Sequence, residues 1–129
     1  GVLRMGRRPS RRLEEHTAGV TALAFLPGAL VSGSADNTTR VWDLGAGVLR
    51  HVQRHPRTVF GIAVQPQAAG AGRFATACWD GVVRLFDAAT GLESGALTGH
   101  QGGLYAVAFS PVDASLLASA GADRTVRVW

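Results

Sequence analysis

The chain has 129 residues, 47% of them apolar and 17% charged, which suits one modest folded domain better than a disordered segment. No apolar run reaches the roughly 20 residues that span a bilayer, and five arginines with no apolar block among the first twelve residues do not read as a secretory leader. The single cysteine, Cys78, excludes a disulfide-stapled scaffold, and the formal net charge of +4 belongs to a tail: all 13 basic residues are Arg, five of them within residues 4–12, whereas residues 14–129 hold eight Arg against nine acids.

In chain order, residues 1–9 read as a basic flexible segment and residues 10–129 as three units, approximately 10–43, 44–87 and 88–129. "SRRLEEH" at 10–16 reads as an outer strand carried over from a preceding unit, because Leu13 stands three residues before His16 as Val52 and Leu97 stand before His55 and His100. The first full strand is "VTALAFLP", closed by Pro27, which cannot continue a central strand. "ALVSGS" follows, then a turn through Asp36-Asn37 whose short side chain can bond its own backbone, then "TTRVW", then a weaker strand around Gly47–Val52. The second unit repeats this order as "VFGIAVQP", "RFATAC", Asp80-Gly81, "VVRLF" and Gly91–Leu97, with "GAGR" at 70–73 read as a loop. The third runs "LYAVAFSP", "LLASAG", Asp123-Arg124 and "TVRVW".

These elements are one phrase written three times. The turn Asp recurs at Asp36, Asp80 and Asp123, with Ser32, Thr76 and Ser119 four residues before it and Arg40, Arg84 and Arg127 four after. Trp42, Phe86 and Trp129 stand six residues after it, and His16, His55 and His100 lie upstream. A period of about 44 residues is the blade length of a propeller. In each first strand the positions five, seven and nine residues after the His are larger, while those between are Ala or Gly: Ala22 and Ala24, Gly61 and Ala63, Ala106 and Ala108. One bulky and one small face, neither charged, predict strands buried on both sides between closely stacked sheets.

The phrases "LVSGSADNTTRVWD" and "GH" at 99–100, with their copies, resemble the WD-repeat family over residues 13–129. The resemblance implies an all-β fold, here a partial β-propeller of three four-stranded blades. It also implies that in each blade the Asp accepts from His, the His bonds the Ser/Thr hydroxyl, and the hydroxyl accepts from the Trp indole. The implied sets are His16–Ser32–Asp36–Trp42, His55–Thr76–Asp80 with Phe86, and His100–Ser119–Asp123–Trp129. Phe86 has no N–H and Arg54 replaces the Gly before His55, so the middle network is expected to be shortened.

A Ser-His-Asp set also invites a hydrolase reading. Recurrence once per blade argues against it, since catalysis needs one such set, and the chain is read as non-enzymatic with no cofactor. Four His and one Cys lie far apart, and the one short pair, His51/His55, falls in strand and loop, so no metal site is expected. Cys78 reads as a small structural residue.

The expected function is a non-catalytic interaction scaffold for protein or peptide partners, the alternatives being an enzyme on a propeller fold or nucleic-acid association through the Arg-rich start. That start interleaves no aromatic residue, so nucleic acid is disfavoured. Departures from the repeat are mostly aromatic: Trp79 where the copies have Ala35 and Ala122, with Phe60 and Tyr105. Trp79 and Arg57 are the candidate partner-binding residues, Trp and Arg being enriched in interface hot spots. Three blades fall short of the four to eight that close a ring, so the rest of the same propeller or a second copy is expected as a partner. The absence of an initiating Met and of an Asp after Trp129 points to a piece of a longer chain. The expected setting is intracellular, cytoplasm or nucleus, with no signal that chooses between them.

Overall fold

The computed structural model describes residues 11–66 and 72–129, so the whole of the basic segment 1–9 and part of the 70–73 loop lie outside the described residues. Among the described residues eleven strands form three antiparallel sheets. The first blade is β1 (Val20–Leu26), β2 (Ala29–Ser34), β3 (Thr38–Asp43) and β4 (Val48–Arg54), in that spatial order. The second is β5 (Val59–Val64), β6 (Arg73–Cys78), β7 (Val83–Asp87) and β8 (Glu93–Leu97). The third has three strands, β9 (Leu104–Phe109), β10 (Leu117–Gly121) and β11 (Val126–Val128).

The β2–β3 class of turn is built alike in all three blades. Asn37, Gly81 and Arg124 follow the Asp with φ of 70, 86 and 66°, the left-handed conformation that reverses the chain. The Asp side chain closes the turn from within: Asp36, Asp80 and Asp123 Oδ1 accept the N–H two residues on, from Thr38, Val82 and Thr125, at 2.9, 3.1 and 3.1 Å.

Two apolar cores lie between the blades. Between the first and second, Val31 and Val41 meet Phe74 and Phe86, with Ala24, Ile62 and Val64 at the edge. Between the second and third, Ala75, Ala77 and Val83 meet Leu104, Val107 and Leu117. The inner strands β5 and β9 thus each lay their bulky face on the blade before them. The fit is close: a Cβ at Gly33 would stand 3.0 Å from Val59 Cγ1 and 3.2 Å from Ile62 Cδ1.

Three expectations require correction. Only the middle inner strand has a blade on either side, and even there burial is partial: Val59 is buried, Gly61, Ile62, Ala63 and Val64 are half-buried and Phe60 is exposed. On β1 the bulky face is open, with Leu23 62% and Phe25 74% exposed, and on β9 the small face of Ala106 and Ala108 is open. The outer strand read over 10–16 is not formed within 11–16, which has no neighbouring sheet edge to pair with. The fourth strand of the first blade is longer than expected, pairing with β3 as far as Thr38↔Arg54.

Candidate partner-binding rim

The His, Asp and Ser/Thr side chains converge at one end of the sheets, where the Asp turns meet the loops that carry the His. In the first blade His16 Nδ1 donates to Asp36 Oδ2 at 2.8 Å, Ser32 Oγ donates to His16 Nε2 at 2.6 Å, and Trp42 Nε1 donates to Ser32 Oγ at 2.9 Å. The third blade repeats this through Asp123, His100, Ser119 and Trp129 at 2.9, 2.7 and 2.9 Å. Each carboxylate also takes the N–H of the residue after the His, from Thr17 at 3.1 Å and Gln101 at 3.0 Å, and the hydroxyl of Thr38 or Thr125. Burial alone would raise the Asp36 carboxyl, but these bonds outweigh it and hold the group well below the usual carboxylate range; the same balance operates at Asp123.

The middle blade breaks the chain in two. His55 Nε2 meets Thr76 Oγ1 at 3.0 Å, and the His55 ring packs 5.5 Å from Phe86. Asp80 does not reach His55. It pairs instead with Arg84 through two bonds of 2.6 and 3.2 Å, and His55 Nδ1 finds no hydrogen-bond partner among the described residues. The implied Asp80–His55 contact is therefore corrected, and the cause is legible in three residues. Pro56 follows His55 and has no N–H for a carboxylate, Val82 replaces the Thr whose hydroxyl holds Asp36 and Asp123, and Phe86 offers no indole. Asp80, without the first two donors, turns to Arg84, and Thr76 lacks the indole N–H that Ser32 and Ser119 accept. Burial, then the nearby Arg84 charge, lowers His55 to about 4, so the ring is neutral at pH 7.

This arrangement is structural chemistry. Ser32 and Ser119 are 3% and 2% exposed, and each hydroxyl is already engaged by a His and an indole. His51 spends Nε2 on the Ala89 carbonyl at 2.9 Å, in the neighbouring blade. Cys78 is buried, bonds the Arg57 carbonyl at 3.4 Å, and has its thiol pushed up by burial, the opposite of an activated nucleophile.

Apolar surface gathers at the same rim. Trp79, Phe60 and Tyr105 are 37, 36 and 56% exposed and touch one another, with ring centroids 5.6 Å (Phe60–Trp79), 5.3 Å (Trp79–Tyr105) and 5.9 Å (Phe60–Tyr105) apart. Phe60 and Tyr105 sit where the inner-strand ladder skips a residue, between Val59 and Gly61 and between Leu104 and Ala106. Such a bulge re-aims its side chain out of the sheet. The corresponding residue of the first blade, Thr21, bonds the Val59 carbonyl. Trp79 is seated on glycine: a Cβ at Gly103 would stand 2.2 Å from the Trp79 ring. Composition gave no hint of Gly103, since its role appears only once the two blades are side by side. Arg57 lies exposed in the loop beside Trp79, whose N–H donates to the Thr58 carbonyl at 2.8 Å.

The family model "WD domain, G-beta repeat" matches residues 7–43 and 91–129. The chain belongs to the WD-repeat family. The middle repeat, the one whose network is broken, is the stretch those matches leave out. WD-repeat relatives include the nuclear distribution protein PAC1 of Coccidioides posadasii (strain C735), 34% identical over 135 residues, covering 95% of this chain and 28% of that protein. WD repeat-containing protein 1 of Gallus gallus is 36% identical over 107 residues, covering 80% of this chain and 17% of that protein. The chain thus spans less than a third of these relatives. Among solved structures, the WD40 repeats of RRP9 superpose with a TM-score of 0.83 at 24% identity, covering 92% of this chain and 37% of that one, which establishes the shared WD-repeat fold.

Proposed function

We propose that this WD-repeat chain is a non-catalytic interaction scaffold that engages protein or peptide partners through the rim bearing Trp79, Phe60, Tyr105 and Arg57. The observation that carries the reading is the aromatic triad. Three large side chains stay exposed together where the repeat itself is satisfied by Ala35, Ala122 and Thr21, so their size serves no demand of the fold. A Trp with an adjacent Arg is the composition in which interface energy concentrates, at roughly 2 kcal/mol or more per anchor. A relative named for its WD repeats supports a scaffold role, and a nuclear distribution protein among the relatives supports an intracellular setting.

The two open inner faces support a second part of the reading: further blades, from the same protein or from a second copy, cover Leu23 and Phe25 at one end and Ala106 and Ala108 at the other. The test of the rim is Trp79→Ala in the full-length protein, with partner pull-down and melting temperature measured on the same preparation. Loss of partners at unchanged stability is the expected result. Loss of stability with partners retained would reduce Trp79 to a packing residue.

A further inference from the structure

The charge pattern of the rim narrows the chemistry of its partner. Three turn carboxylates stand there and all are committed: Asp36 to His16, Thr17 and Thr38, Asp80 to Arg84 and Val82, Asp123 to His100, Gln101 and Thr125. Three arginines at the same end of the sheets are exposed and form no ion pair among the described residues: Arg54, Arg57 and Arg124. Arg54 ends β4 opposite Thr38, and Arg57 shares the loop tied to Trp79. Arg124 occupies the left-handed turn position with φ of 66°, beside the loop that seats Trp79, because the Ala122 N–H donates to the Gly103 carbonyl at 2.8 Å. An Arg is an uncommon choice there, where the other turns use Asn37 and Gly81. Of the acids that precede His16, Glu14 is paired with Arg12 at 3.1 Å, and both Glu14 and Glu15 adjoin the blade that contributes no aromatic.

We propose that this rim takes an acidic peptide, one apolar side chain of which seats against Trp79, Phe60 and Tyr105 while its flanking carboxylates lie on Arg54, Arg57 and Arg124. The proposal rests on the rim being the partner-binding face. A peptide fits better than nucleic acid for two reasons. Residues 14–129 carry eight Arg against nine acids, too little positive field for a phosphate backbone. The three rings also stand at 51–76° to one another, a corner that holds one side chain and not a flat platform for successive bases.

The test is fluorescence anisotropy on the whole chain with three labelled heptapeptides, each a central Phe flanked by three Glu/Asp, three Ser or three Lys on either side, and with a uridine heptamer. At low salt the acidic peptide is expected to bind about tenfold tighter than the Ser peptide, and the advantage should vanish by about 0.5 M salt. Arg57→Glu and Arg124→Glu should each remove most of that advantage, weakening the acidic peptide far more than the Ser peptide. Gly103→Ala, which retains every charge and ring but evicts Trp79 from its seat, should weaken both peptides alike. Equal binding of the acidic and Ser peptides, or preference for the Lys peptide, overturns the acidic assignment; if that binding is still lost in Trp79→Ala, the rim itself stands. Tighter binding of the uridine heptamer than of the acidic peptide overturns the assignment in favour of nucleic acid. Absence of binding by all three peptides overturns the assignment too, and the pull-down with Trp79→Ala then judges the rim alone.

Discussion

Acidifying the medium should destabilise this protein well before its carboxylates begin to titrate, and His55 is the reason. The ring is 6% exposed, its Nδ1 has no hydrogen-bond partner among the described residues, and the Arg84 guanidinium lies near enough to repel a proton. Its proton affinity falls from 6.5 in an open chain to about 4 in the fold. Below pH 6.5 the unfolded chain therefore binds a proton that the folded chain refuses. The His55 contribution is complete above the unfolded value, drains away as pH falls, and is gone once pH passes through the folded value. A displacement of this size corresponds to about 3 kcal/mol, a large part of a small domain's stability. The assay is urea denaturation between pH 7.5 and 3.5 on the protein and on His55→Gln, which keeps a polar contact for Thr76 but has nothing to titrate. The expected result is a stability loss between about pH 6.5 and pH 4 that the variant largely lacks. Superimposable pH profiles would refute the reasoning, and so would a loss confined to pH below about 4, where the carboxylates take over.

Two further outcomes follow from the contacts described. Double-mutant cycles should give a coupling of about 1 kcal/mol or more for Asp36 with His16, a comparable coupling for Asp80 with Arg84, and less than about 0.5 kcal/mol for Asp80 with His55; a large Asp80–His55 coupling would contradict the broken network. In sedimentation velocity the 129-residue chain should self-associate through its open faces, and Leu23→Ser with Phe25→Ser should reduce that association; a monodisperse monomer with one sharp thermal transition would show that the faces need no cover.

The repeat made most of the fold legible, since residue types recurring at fixed offsets from Asp36, Asp80 and Asp123 mark strands, turns and the bulky and small faces. The middle network was legible only in part. Phe86 announced one missing bond, but Pro56 and Val82 remove two donors to Asp80, and their meaning depends on knowing that Thr17 and Thr38 supply such donors in the first blade. Trp79 stood out against Ala35 and Ala122, whereas its contact with Gly103 crosses from one blade to the next and leaves no trace in local pattern. Burial of the outer inner strands failed as an expectation because periodicity describes what a face wants, and only neighbours decide whether it is met.

The inner strands are bulky on one side and small on the other, and that asymmetry gives the stack a direction. A copy docking on the Ala106 and Ala108 face can offer Leu23 and Phe25 in the sense already used between Val107 and Ala77; a copy turned end for end would press ridge on ridge or hollow on hollow. Self-association of this chain is therefore heterologous and cannot yield a two-fold dimer through one shared patch. Repeating the step leads either to a closed ring, if the rotation per copy divides the circle, or to an open-ended filament if it does not.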